Sequence, residues 1–431
     1  MKKLIGIIAM AMILVAFTAC GKKAEAKAAD SNAPVTLTVW CWDPNFNIYA
    51  MNEAAKVYKT IKPNVTINIV ETPWNDLQQK LIAGLSAKAT DTLPDIILMQ
   101  DNAAQKNIIT YPDAFYDITG KVDLSKFAQF KVDASTVNGK NYGVPFDNGS
   151  TATFLRTDYL EKAGLKASDF QDITWERFIE LGKIVKAKTG HAMLSAVANE
   201  PDLLMIMLQS SGSWVFDANG KTTIANNDAL KASIKIYKTL IDTGVLKLTT
   251  DWNEYTGTIS NGSVASTVNG VWIIGTITGA KDQKGKWAVV NTPRLGAISA
   301  SVNASSCGGS GWMVLSSSKN PEVAADFLAK TFAGSVDFYQ TILPTSGAIS
   351  TWAPAAEGAV YSQPQEFFGG QKIYADIIGY SAKVPKVKYG VYNYEARDAI
   401  ATAIQASMKG EAIDKALETA QKTVEFLAGG Q

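Results

Sequence analysis

Val35-Thr36-Leu37-Thr38-Val39-Trp40, Val65-Thr66-Ile67-Asn68-Ile69-Val70 and Asp95-Ile96-Ile97-Leu98-Met99 are three strand-like runs rich in β-branched and apolar residues. Between them Ile48, Met51, Ala55, Tyr58 and Ile61 recur at steps of three and four, and so do Trp74, Leu77, Leu81, Ile82 and Leu85. That spacing predicts two amphipathic helices, each with one buried stripe. The order is therefore strand, helix, strand, helix, strand, which builds a parallel sheet through right-handed crossovers. Open sheets of this kind hold ligands beyond the carboxyl ends of their strands. The residues there are Trp42-Asp43-Pro44-Asn45-Phe46-Asn47, Glu71-Thr72-Pro73-Trp74 and Gln100-Asp101-Asn102.

Those loops carry acids, amides and indoles but no arginine or lysine. Phosphate, sulfate or carboxylate solutes need cations or free helix N-termini, so the loops disfavour an anion. The net charge of +1 likewise gives no reason to expect nucleic acid. With 431 residues the chain is long enough for two or three domains.

Residues 1–20 have the form of an export signal: Lys2 and Lys3, an apolar run from Leu4 to Phe17, then Thr18-Ala19 before Cys20. They resemble the lipobox of bacterial lipoproteins, in which the cysteine becomes the lipid-modified N-terminus, although Phe17 stands where leucine is usual. Lipid anchoring through Cys20 is what that resemblance implies. Residues 21–34 lack apolar periodicity and read as a flexible tether. Cys41 and Cys307 are too few for a disulfide framework, and whether they pair is left open.

Further on, Val144-Pro145-Phe146-Asp147-Asn148-Gly149 reads as a strand leaving one domain and entering another. Helices are predicted over Asp158 to Ala163, Trp175 to Lys186, Asp202 to Ser210, Asp228 to Thr243, Pro321 to Phe332, Asn393 to Met408 and Ala412 to Leu427, with Asp158, Thr174 and Asp228 as N-caps. Asp251 to Tyr255 reads as a polar loop, Ser263 to Ile274 as a strand interrupted at Asn269-Gly270, and Ser305 to Leu315 as a glycine-rich approach to a strand. His191 follows Thr189-Gly190 and is expected in a turn. Trp40, Trp175 and Trp287 are expected in the core.

In their order along one exported chain, Thr38-Val39-Trp40, Trp42-Asp43-Pro44-Asn45-Phe46-Asn47, Leu93-Pro94-Asp95-Ile96, Tyr142-Gly143-Val144-Pro145, Asn269-Gly270-Val271-Trp272 and Gly309-Ser310-Gly311-Trp312 resemble the extracellular solute-binding proteins of sugar ABC importers. The likeness is greatest to the lactose and L-arabinose branch. It implies an α/β, two-lobed periplasmic-binding-protein (type II) fold with a ligand cleft between lobes. One lobe would hold residues 35–144 and about 305–339, the other 145–304 and about 340–431, with Val144 to Phe146 and Gly309 to Val314 as hinge crossings. Expected partners are a sugar and membrane permease subunits; no cofactor, metal or nucleic acid is expected, and the working unit is expected to be a monomer.

A neutral sugar needs carboxylates and amides for its hydroxyls and aromatic planes for its C–H faces. Asp43, Asn45, Glu71, Asp101, Asn102, Asp147 and Asn148 supply the first class; Trp42, Trp74, Trp214, Trp252, Trp272, Trp312, Tyr389 and Tyr392 the second. Asp43 and Asp101 could equally cap helices. A polyamine binder would use the same acids and indoles, and a secreted glycosidase would need a distinguished carboxylate pair that the sequence does not mark out. A structural surface lipoprotein is the remaining alternative.

Overall fold

The computed structural model describes residues 33–217 and 219–429. The leader, Cys20 and nearly all of the proposed tether lie outside the described residues.

Twelve strands are assigned among the described residues: β1 Val35–Cys41, β2 Val65–Glu71, β3 Ile96–Gln100, β4 Thr136–Val137, β5 Lys140–Asn141, β6 Gly143–Pro145, β7 Thr151–Arg156, β8 Leu194–Val197, β9 Leu246–Thr249, β10 Ser266–Gly270, β11 Trp287–Val290 and β12 Ser310–Val314. The first sheet has the order β2-β1-β3-β12-β6. Its first three strands are parallel, and β12 runs antiparallel to both β3 and β6. In the second sheet β7 pairs antiparallel with β10 and β11, while β8 and β9 are parallel. A parallel bridge from Ala192 to Val264 and the bond from Ser266 N–H to the Met193 carbonyl join β8 to β10. The second sheet thus runs β9-β8-β10-β7-β11 and repeats the wiring of the first.

Sequence explains the layering. Ile96, Ile97, Leu98 and Met99 are all fully covered, because helices close both faces of β3. Alternate residues feed different cores: Ile96 and Leu98 pack with Leu37 and Val39, Ile97 and Met99 with Leu81 and Met313. The helices between the strands are α1 (Asn47–Ile61) and α2 (Trp74–Ser86). The α1 stripe is Asn47, Ala50, Met51, Ala54 and Tyr58, so it is rotated slightly from the predicted one and leaves Ile61 exposed. Trp175 and Trp287 are core, but Trp40 is only half-buried, with the Lys80 ammonium 5.7 Å from its ring.

Other expectations shift locally. Asp251 to Tyr255 is no loop: the Asp251 carboxylate accepts the Glu254 N–H at 2.8 Å and caps the helix Trp252–Ser260. The strand predicted to reach Ile274 stops at Gly270, where the chain turns into Val271–Ile273 and the helix Ile274–Gly279. Thr174 caps as expected, whereas Asn227 takes the role given to Asp228, and Asp158 instead holds the Arg156 guanidinium at 2.9 and 2.8 Å. His191 stacks on Tyr159 at 4.4 Å. Cys41 and Cys307 are free thiols.

The sheets are joined by the segments after β6 and before β12. These run side by side: Thr151 N–H bonds the Ser305 carbonyl at 2.9 Å, Cys307 N–H the Gly149 carbonyl at 2.8 Å, and Phe146 N–H the Ser310 carbonyl at 2.9 Å. Gly149 has φ of 64°, and a Cβ there would lie 2.5 Å from the Gly308 carbonyl oxygen. Any side chain must displace backbone. Gly149→Ala is therefore expected to cost about 2 kcal/mol or more in chemical denaturation; wild-type stability would contradict the close approach of the two crossings.

Candidate functional site

Strand ends of the two sheets bring two walls together. On the first, Trp42 and Trp74 meet edge-on with centroids 5.1 Å apart, and both are half-buried. Asp43 Oδ1 accepts the N–H groups of Asn45 and Phe46 at 2.9 and 3.0 Å, which braces the turn before α1; the helix itself begins after Phe46 without a side-chain cap, so Asp43 is not its N-cap. Burial raises the Asp43 pKa, and those two N–H groups draw it back. Glu71 ends β2, opposite Cys41, and is exposed. The Asn45 backbone lies against the helix Ile274–Gly279: a Cβ on Gly275 would sit 3.3 Å from its carbonyl oxygen.

On the second wall Trp272 stands 5.5 Å from Trp252, and its Nε1 donates to the Cys307 carbonyl at 3.1 Å. Gly270 makes this pose possible, because a Cβ there would fall 2.1 Å from Trp272 Nε1. The indole folds back over the glycine and presents a half-buried face. Tyr255 lies under Trp252 and donates to or accepts from Thr267 at 2.7 Å.

The helix Asn393–Met408 closes one side, and its importance was not foreseen. Tyr394 donates to Asn102 Oδ1 at 3.0 Å and to Gln100 Oε1, and its ring lies 6.2 Å from Trp74. Glu395 pairs with Lys106 on α3 (Asp101–Thr110), and the Lys106 ammonium is 5.6 Å from the Tyr392 ring. Arg397 pairs with Asp202. Burial raises Glu200 and neighbouring Asp202 adds to the effect. The readable signal was composition: Tyr392-Asn393-Tyr394-Glu395-Ala396-Arg397 opens a helix with aromatic and charged groups, as Asn199-Glu200-Pro201-Asp202 follows β8.

Several predicted residues are engaged within the protein, most of them serving the frame. Trp312 is fully buried between Phe146 and Phe332, at 5.6 and 5.2 Å, because β12 lies inside the first sheet; it lines no cleft in this structure. Trp214 is covered too, donating to Asn393 Oδ1 at 3.0 Å, with Tyr389 at 5.0 Å and Tyr389 Oη bonding Gln209. Asn148 Oδ1 accepts the Ser150 N–H at 2.9 Å. Asp147 Oδ1 accepts both the N–H and the Oγ–H of Ser310, at 2.9 and 2.7 Å. Asp101, first residue of α3, pairs with Lys131 on α4 (Gln129–Ala134).

Cations do enter the region, contrary to the reading of the strand-end loops alone. Lys106, Lys131 and Arg397 come from other elements, and each already holds a carboxylate. The cations are matched, but Asp43, Glu71 and Glu200 form no ion pair among the described residues, so the region keeps an excess of carboxylates.

The sequence profile of the bacterial extracellular solute-binding proteins matches residues 53–369. The chain belongs to that family. It is 44% identical over 395 residues to the lactose-binding protein of Rhizobium radiobacter, covering 92% of each chain. To the arabinooligosaccharide-binding protein of Bacillus subtilis (strain 168) it is 27% identical over 340 residues, 76% of each. Among solved structures, the ABC transporter associated binding protein of B. animalis subsp. lactis Bl-04, in complex with β-1,6-galactobiose, superposes with a TM-score of 0.77 at 21% identity, covering 90% of this chain and 96% of that one. The fold is the α/β, two-lobed periplasmic-binding-protein type, and the family and its neighbours are binding proteins.

Burial holds Asp101 at about 6 against an ordinary 3.8, with Lys131 pulling it down and Asp147 pushing it up. The folded state therefore binds this proton more tightly than the unfolded chain. Its contribution to stability falls as pH rises from about 4 to about 6, by roughly 2–3 kcal/mol, and is flat outside that window. Asp101→Asn is expected to remove that slope from a series of denaturation curves at pH 4 to 7; an unchanged slope would contradict the assignment.

Proposed function

We propose that this chain is the solute-capturing component of a carbohydrate ABC importer, taking a mono- or oligosaccharide of lactose or arabinose type and delivering it to membrane permease subunits. The observation that carries the reading is the pairing of half-buried indoles, Trp42 with Trp74 and Trp252 with Trp272, in a region where nearby cations are matched by carboxylates. Indole faces suit sugar C–H surfaces, and the acids and amides suit hydroxyls. The relatives named for lactose and arabinooligosaccharides agree with this solute class. Residues 35–144 and about 305–339 form one lobe of the clamp in this reading, the remainder of the mature chain the other.

A polyamine would need free carboxylates for its ammonium groups. Asp101, Asp202 and Glu395 already have cationic partners while Asp43, Glu71 and Glu200 form no ion pair among the described residues, so the saccharide is favoured by the indole pairs and the named relatives rather than by charge. Thermal melting against a panel of sugars and polyamines separates the two. A sugar at a hundred times its Kd should stabilise the protein by about 2.7 kcal/mol, and a response to spermidine alone would overturn the assignment. Trp272→Ala is expected to weaken sugar binding at least tenfold, about 1.4 kcal/mol, in titration calorimetry with the fold intact; unchanged affinity would remove Trp272 from the site.

The protein works outside the cytoplasm, as its family does. Anchoring through acyl chains on Cys20 is part of the proposal, since stable attachment takes more than one chain. Palmitate labelling of cells should mark the wild type and leave Cys20→Ala unlabelled; equal labelling would rule the anchor out.

A further inference from the structure

Lysine is almost never covered on all sides without a partner, because an ammonium stripped of water must be repaid by charge and hydrogen bonds. Lys131 keeps 1% of its side chain exposed. Its Nζ pairs with the Asp101 carboxylate and donates to the Ser310 carbonyl at 3.1 Å. The cavity beside it measures about 10 Å³, no larger than one water molecule. A solute in the cleft cannot touch this ammonium. Lys131 must act through the groups it holds.

One of those groups is the crossing segment. Ser310 is gripped at three atoms: its N–H and Oγ–H by Asp147, its carbonyl by Lys131. Asp101 N–H in turn donates to the Gly309 carbonyl at 3.0 Å. Just upstream, Gly308 and Gly309 hold φ of 78° and 102°, and a Cβ on Gly309 would lie 2.6 Å from Asp101 Oδ2 and 3.0 Å from Lys131 Nζ. The head of α3, α4 and the start of β12 are one rigid block. Backbone freedom begins at the glycine pair.

The other group is Asp101, whose side chain keeps 11% exposure at the head of the helix that also carries Asn102 and Lys106 to the Tyr394 and Glu395 contacts. We propose that Lys131 is a positioning residue for solute capture: it fixes the Asp101 carboxylate as an acceptor for a solute hydroxyl and ties it to the start of β12. This rests on the saccharide reading. The charged and titratable groups facing Asp101 are Lys131 from α4, Asp147 from the crossing after β6, and Tyr389 from the segment ahead of the helix Asn393–Met408.

The test is calorimetric titration with lactose between pH 5 and 8, on wild type, Lys131→Met, Lys131→Arg and Asp101→Asn. In the wild type, affinity falls below about pH 6 as Asp101 takes up a proton and releases the ammonium. In Lys131→Met the carboxyl has lost its counter-charge, so the falling limb moves to higher pH by about one unit or more; Lys131→Arg moves it back toward the wild-type position. Asp101→Asn binds weakly, with a flat profile. A lysine that merely supports the fold would lower the melting temperature of Lys131→Met and leave the midpoint of its binding profile in place, and that result overturns the proposal. Should Lys131→Met not fold, a wild-type pH step in Asp101→Asn overturns it equally. Absence of binding by the wild type to every saccharide of the panel is a different failure: it removes the proposed function, and this inference with it.

Discussion

The clamp depends on Ser310, held by Asp147 and Lys131 at the point where the chain returns to the first sheet. β12 is held between β3 and β6 by its ladders, and this grip adds charged hydrogen bonds at its first residue, where the crossing segment enters the sheet. Hydrogen bonds to buried charges are worth more than neutral ones and are costly to leave half-made. Three such bonds on one residue make a stiff joint, and the glycines on either side of it, Gly149, Gly308 and Gly309, are where the backbone can turn. Stiffness and freedom alternate within a few residues, as a two-state hinge requires.

Away from the joint, the helix Asn393–Met408 makes contacts with the strand-end residues of the first sheet. Tyr394 bonds Gln100 and Asn102, and Glu395 pairs with Lys106. The Lys106–Glu395 pair is partly exposed and contributes on the order of 1 kcal/mol at most.

The fold was legible because β1 to β3 and their helices state their period plainly: β3 is apolar without alternation and β1 alternates at Leu37, Val39 and Cys41. The first wall was legible too, since Trp42, Asp43, Glu71 and Trp74 follow strands directly. What escaped was long-range. Nothing local in Lys131 says that its partner is Asp101, thirty positions earlier, and nothing in Tyr394 or Arg397 points to Asn102 or Asp202. Trp312 was misread for a related reason. Glycines before a tryptophan look alike whether they open a cleft, as Gly270 does for Trp272, or let two strands pack, as Gly311 does against Val144.

If capture closes two lobes about the crossing segments, small-angle scattering during a lactose titration will register it. The radius of gyration should fall as sugar is added and level off at the concentration where the calorimetric heat saturates. Saturating heat with an unchanged radius of gyration would contradict the account, because the sugar would then be held without moving the lobes.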